Sequence, residues 1–320
     1  MTERSGRGVS DRRAQLNFRT YTTLAAALRT VPEPVARAVA AVVGEVMAHR
    51  RGETQDLATA HLRRVLTQSS NATDTGLDPL ALRRLTRRAY RAYARYWVEG
   101  ARLPALSREL ICSRMLVDGF EHLQQAMEKG SGVVMALPHV GSWEWGGAWL
   151  NAVGYPMISV AERLEPPELF EWFIEQRKAM GLTVLPLDSG SSAIVLKALR
   201  AGRLVGLLCD RDLVGNGVEV EFFGEKTTLP AGPATLALRS GATLVSTAVY
   251  SGPGLYHTAV ISEPIDTTRR GTLRADVARL TQEIARHFEY LVRRAPEQWH
   301  LFQPNWPSER ATSAPGSDAD

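Results

Sequence analysis

From Leu16 to about Gly130, apolar residues recur every three to four positions, with few β-branched runs and with breaks at Pro32–Pro34, Gly52 and the polar stretch Gln68–Asp78. That rhythm predicts several amphipathic helices. One of them, Val35–Met47, is apolar on most sides, which suits either a buried core helix or one lying in a membrane interface. The next, Pro79–Val98, interleaves Arg83, Arg84, Arg87, Arg88, Arg91 and Arg95 with Tyr90, Tyr93, Tyr96 and Trp97. Arginine beside amphipathic aromatics matches a bilayer headgroup region, and equally a solvated face with snorkelling stems. Beyond Gly130 the pattern changes to short β-branched runs at 132–139, 155–162, 182–188, 203–210, 242–250 and 256–264. Helical stretches at Glu168–Met180, Ser191–Ala201 and Pro233–Ser240 fall between them, and a long amphipathic one covers Leu273–Arg294. Strands alternating with helices predict an α/β fold, with a largely parallel central sheet flanked by helices and an N-terminal helical layer. The expected organisation is a flexible start over 1–14, a single domain over 15–306 that is mainly helical to 130 and βα from 131, and a disordered tail over 307–320.

Composition narrows the function. With 44% hydrophobic and 22% charged residues, the 320-residue chain can bury a large core without staples. Lys and Arg number 38 against 34 Asp and Glu, so 38 − 34 = +4. Together with a pI near 9.2, this suits phosphates or an anionic membrane surface as partners. Only Lys129, Lys178, Lys197 and Lys226 are lysines. Arginine suits bidentate phosphate contacts, although GC-rich coding produces the same bias. No apolar run reaches the ~18–20 residues of a spanning helix, and the start lacks a signal-peptide pattern. Cys112 and Cys209 stand apart with no metal-ligand spacing, so a reducing cytoplasm, no metal and no bound cofactor are expected.

In an open α/β sheet, ligands gather at the carboxyl ends of strands. Two exits carry chemistry: Pro138-His139-Val140-Gly141-Ser142-Trp143-Glu144-Trp145, and Cys209-Asp210-Arg211-Asp212. A histidine there with a carboxylate on its second nitrogen is what a general base needs. Five residues turn an α-helix by about 500°, so His139 and Glu144 meet only if the chain turns at Gly141. Asp212 at the neighbouring exit is the other candidate. Ser142 lacks a Gly-x-Ser-x-Gly elbow and reads as a helix N-cap. Backbone N–H groups over Gly141–Trp143 are candidate oxyanion donors. Glu162 and Arg163, at a third exit, and Arg177, on the next helix, suit a sugar or phosphate, or plain ion pairs. Of the alternating Glu219 and Glu221, Glu221 is preferred as a site residue. Trp143, Trp145, Trp149 and Phe222-Phe223 suit either an acyl tunnel or ordinary core. His257 and His300 read as structural.

These residues resemble a family. His139-x4-Glu144 after an apolar strand is similar to the His-x4-Asp/Glu motif of glycerolipid acyltransferases. Arg177 before Met180-Gly181-Leu182, Asp210-Arg211-Asp212, Val218–Gly224, Pro230–Ala234 and the closing run 299–306 resemble the branch of lipid A secondary and phosphatidylinositol mannoside acyltransferases. Two patterns of related enzymes are missing, the Pro-Glu-Gly-Thr-Arg phosphate motif and an N-terminal spanning helix. The resemblance implies a peripheral enzyme at the cytoplasmic face of the plasma membrane. It would transfer palmitoyl from acyl-CoA, as co-substrate, to a mannose hydroxyl of a phosphatidylinositol mannoside. His139, Glu144 and Asp212 would serve catalysis, and Ser142, Trp143, Glu162, Arg163, Arg177, Arg211 and Glu221 would bind substrate. A lysophospholipid or lipid A precursor is the alternative acceptor, and a non-catalytic lipid-binding protein the alternative class; nucleic acid is not an expected partner.

Overall fold

The computed structural model describes residues 4–50, 52–70, 78–188 and 190–310. Four helices lead: α1 (Arg4–Thr30), α2 (Glu33–His49), α3 (Glu53–Ser70) and α4 (Pro79–Arg102). The start expected to be flexible is thus helical from Arg4. Helix α4 begins where Pro79 pre-sets the first turn and the Asp78 side chain accepts the Leu80 N–H. It holds α2 closely, because Ala36, Ala40, Gly44 and Ala48 present a small-residue stripe to it. A Cβ on Gly44 would come within 2.6 Å of the Arg91 Cα. The opposite face of α2 leaves Val35, Val39, Val42, Val43 and Val46 exposed. Helix α2 is therefore a core helix on one side and an unpaired apolar surface on the other.

Next come α5 (Arg108–Ser113), β1 (Met115–Asp118), α6 (Phe120–Glu128), β2 (Val133–Leu137), α7 (Trp143–Ala152), β3 (Met157–Ala161) and α8 (Pro167–Ala179). They are followed by β4 (Thr183–Pro186), α9 (Ser191–Arg200), β5 (Leu204–Leu208), a hairpin of β6 (Val218–Phe222) and β7 (Glu225–Leu229), and α10 (Gly232–Ser240). The last elements are β8 (Thr243–Ser251), β9 (His257–Ile261), α11 (Leu273–Arg294) and the short α12 (Pro307–Arg310). The seven-stranded sheet has the order β1-β9-β8-β2-β5-β3-β4. Every neighbouring pair in it is parallel except β8 with β9. This is the expected α/β class with a largely parallel sheet. Strand β1 interrupts the stretch read as helical, since its four residues carry an outward Leu116 and give no strand-length apolar run.

Central β2 is buried at all five positions because helices cover both faces. On one side its residues pack with Leu199, Phe288 and Trp299, and on the other with Trp145, Trp149 and Leu123. The stretch expected to be a disordered tail begins in an ordered helix: Glu309 on α12 is buried and accepts from Arg64 at 2.7 Å and from the Asn305 N–H at 2.9 Å. The His61 ring also faces it at 3.0 Å. Residues 311–320 lie outside the described part. Burial works to raise the Glu309 carboxyl, but His61, Asn305 and Arg64 together hold it at about 2 against an ordinary 4.5. Its stabilisation is therefore complete above about pH 4.5 and is lost as the pH falls towards 2. Glu309→Ala is expected to cost about 3 kcal/mol by taking one of two carboxylates from Arg64 and leaving His61 and the Asn305 and Trp306 N–H groups buried without it, read as a lower urea midpoint at pH 7.

Candidate active site

The parallel register of β2 on β5 pairs Leu137 with Leu208. Carried two residues further, that register sets His139 opposite Asp210. The bonds follow it: the Cys209 N–H donates to Leu137 O at 3.0 Å, and the His139 N–H to Asp210 Oδ2 at 2.9 Å. His139 Nδ1 lies 2.5 Å from Asp210 Oδ1. Asp210 is fully buried and also accepts Trp299 Nε1–H at 2.8 Å, while Asn305 Nδ2 donates to its carbonyl at 3.2 Å. Burial alone would raise the Asp210 carboxyl; the His139 ring, Trp299 and the His139 N–H hold it below its ordinary value instead. An ionised aspartate on Nδ1 fixes one imidazole tautomer and leaves Nε2 free to accept a proton.

Neither carboxylate expected at His139 is there. Glu144, on the first turn of α7, points away into a buried cluster, where Arg177 donates to it at 2.8 Å and Tyr96 at 3.3 Å. Burial would lower the Arg177 guanidinium, yet Glu144 raises it, so the pair ties α7 to α8 as a structural ion pair. Asp212 is occupied with its own loop, accepting N–H groups of Val214, Gly215 and Gly217 at 3.2, 2.9 and 2.7 Å. Asp210 takes the role because it lies in register with His139 just past the ends of β2 and β5, whereas the chain bends at 210–211 and carries Asp212 into the following loop.

Other expectations divide in the same way. Gly141, at φ +62°, turns the chain as required. However, its N–H is used by Gln298 O at 2.8 Å and the Ser142 N–H by Val249 O at 2.7 Å, which removes both as oxyanion donors. Ser142 occupies the N-cap position of α7 without a side-chain cap bond. Trp143 is brought to the site, edge-on to the His139 ring with 5.4 Å between centroids. It also lines a narrow apolar pocket, with about 20 Å³ of free space, together with Met135, Leu137, Trp149, Leu150 and Met157. Trp145 instead stacks on His257 at 4.1 Å, and Phe222 and Phe223 pack on Trp299 in the other core layer. Arg211 pairs with Glu162 at 3.7 Å across the exits of β5 and β3 and bonds Gln303. Arg163 is exposed and 3.5 Å from Asp188. Glu221 is exposed on the hairpin, where its backbone bonds Gln282 of α11, and is not part of the site.

Three site residues come from the run 299–306: Trp299 and Asn305 on Asp210, and His300. His300, read as structural, donates its backbone N–H to His139 O at 2.8 Å and packs its ring against Tyr93, Tyr96 and Trp143. Burial, joined by the nearby His139, pushes that ring down to about 3, so it is neutral near pH 7. The signal in the sequence was the density of Trp, His and Asn in that run.

A histidine whose Nδ1 is held by a buried aspartate at a strand exit is equipment for activating a hydroxyl. The chain matches the family described as bacterial lipid A biosynthesis acyltransferase over residues 14–308. It is 38% identical over 225 residues to the phosphatidylinositol mannoside acyltransferase of Mycolicibacterium smegmatis, covering 69% of this chain and 72% of that one. It is 37% identical over 228 residues to the Mycobacterium tuberculosis protein of the same name, covering 69% and 70%. The protein belongs to the bacterial lipid A biosynthesis acyltransferase family and is an acyltransferase.

Proposed function

We propose that this acyltransferase moves a long acyl chain, palmitoyl, from acyl-CoA to a mannose hydroxyl of a phosphatidylinositol mannoside, with no bound cofactor. The observation that carries the reading is the placement of His139: Nδ1 is taken by Asp210, and the ring stands beside Trp143, a wall of the narrow apolar pocket. In the proposed reaction Nε2 takes the hydroxyl proton as the oxygen attacks the thioester carbonyl. The C–O bond forms without an acyl-enzyme, the C–S bond breaks, and the imidazolium returns its proton to the departing thiolate. The Trp143 N–H, at the start of α7 where no intrahelical acceptor exists, is the donor proposed for the tetrahedral oxyanion. Glu162 and Arg211, flanking Asp210 at the strand exits, are proposed to hold the sugar.

The enzyme is proposed to act from the cytoplasmic face of the plasma membrane, seated by the valine face of α2. No helix among the described residues is long and apolar enough to cross a membrane. The test supplies palmitoyl-CoA and mannosides in anionic liposomes and follows CoA release and acylated lipid by mass. Wild type is expected to form product and His139→Ala to lose it with its fold intact. In flotation, Val39→Asp/Val43→Asp is expected to leave the vesicles. CoA release without acylated mannoside, or transfer only to a lysophospholipid or lipid A precursor, overturns the acceptor. No turnover with any lipid points to a binding protein.

A further inference from the structure

Between α2 and α4 runs a groove of about 280 Å³ that the proposed chemistry does not use. Arg37, Arg88, Arg91 and Arg95 line it, with Glu297 and Gln298 on the far wall. Three of these cations have carboxylate partners and, among the described residues, Arg37 does not. Arg88 bonds Glu297, and Arg95 is held by Glu99 at 2.6 Å and the Gly252 carbonyl at 2.8 Å. Arg91 stands 4.0 Å from Glu45, which also bonds Arg87. Among the described residues Arg37 has no ion-pair or hydrogen-bond partner, and burial together with the charge of Arg95 lowers its guanidinium. A half-buried arginine facing another across an open groove is costly unless an anion joins them. Planar guanidiniums converging on one space suit the oxygens of a phosphate.

The location ties this groove to catalysis. Gln298 O accepts the Gly141 N–H, two residues beyond His139, and the Gln298 side chain bonds both backbone groups of Ser251 at the end of β8. The groove wall and the catalytic turn are hydrogen-bonded neighbours. It lies on the α4 side of α2, opposite the exposed valines.

We propose that the α2–α4 groove is a phosphate-ester site, holding the phosphorylated end of a substrate whose reacting atoms lie at His139. Two substrates of the proposed reaction, on which this inference rests, carry that chemistry: the nucleotide end of the thioester donor and the phosphodiester of the lipid acceptor.

The test compares full-length wild type with Arg37→Gln/Arg91→Gln, using thermal melts to confirm folding. The KM for one phosphorylated substrate is expected to rise at least tenfold. If the donor supplies the phosphate, the loss appears with palmitoyl-CoA and is absent with palmitoyl N-acetylcysteamine thioester, which has no phosphate. If the lipid supplies it, the acceptor KM rises and the palmitoyl-CoA KM does not. Unchanged KM values, or a fall in kcat that is the same for both donors with both KM values unchanged, overturn the site. Calorimetry with adenosine 3′,5′-bisphosphate and with glycerophosphoinositol needs no turnover. Binding that the double variant loses upholds the groove even if the proposed reaction fails, and binding of neither to wild type overturns it.

Discussion

Asp210→Asn is expected to lower kcat about 10³–10⁴-fold while the protein stays folded, by analogy with the loss when the histidine-orienting aspartate of a hydrolase becomes asparagine. The asparagine keeps the shape and can still accept from Trp299 or from the His139 N–H. It cannot supply a negative oxygen to Nδ1. With an amide N–H facing Nδ1, the imidazole proton moves to Nε2, where the base must be free. The imidazolium of the transition state also loses its buried counter-charge. Asp212→Asn, whose carboxylate serves N–H groups of its own loop, is expected to change kcat only a few-fold. Glu144→Gln should act mainly on stability, through Arg177. Initial rates for the three variants beside wild type decide the matter. A loss in Asp212→Asn or Glu144→Gln equal to that of Asp210→Asn would mean that the histidine is oriented differently from the geometry described.

Gly141→Ala is expected to lose both stability and activity. An added Cβ would lie 2.1 Å from the Val249 carbonyl and 3.0 Å from the Tyr250 Cα, at a φ of +62° that an alanine adopts only with strain. That same carbonyl accepts the Ser142 N–H, so the turn cannot back away without breaking a bond of its own. The cost is at least about 2 kcal/mol, or a Tm lower by roughly 3 °C for a domain of this size. Because the turn carries His139 and leads into α7, a shift of about 1 Å would cost about 100-fold in kcat. A thermal melt and a rate measurement on one preparation read both. A variant that melts with wild type would show that the turn is looser than its contacts indicate.

The βα half of the fold was legible because β2, β3, β4 and β5 are short, largely apolar runs and the helices between them have their own period, so both signals are local. Strand β1 was not, because four residues with one outward leucine resemble a helix face. The β7 strand, Glu225–Leu229, is polar enough to pass for loop, and only its pairing with β6 defines it. At the site, His139 could be found from its place after β2. Its partner could not: the sequence offered Glu144 and Asp212, and only the register of β5, a relation between distant stretches, brings Asp210 to it instead. The His-x4-acid motif offered Glu144, and α7 turned it away. His300 was discounted for want of a nearby acid, although its value lies in a backbone bond to His139.

The carboxylate at the centre of the site is completed across long intervals of chain: His139 lies 71 residues before Asp210, and Trp299 lies 89 after it. Closing such intervals carries an entropic cost that local helix formation escapes, so they close late in folding. A chain with its sheet assembled and the 299–306 run undocked would look nearly native by circular dichroism and yet hold an aspartate short of two donors. Recovery of turnover during refolding should therefore lag behind recovery of secondary structure, and enzymatic rate becomes the clock for the last step of assembly.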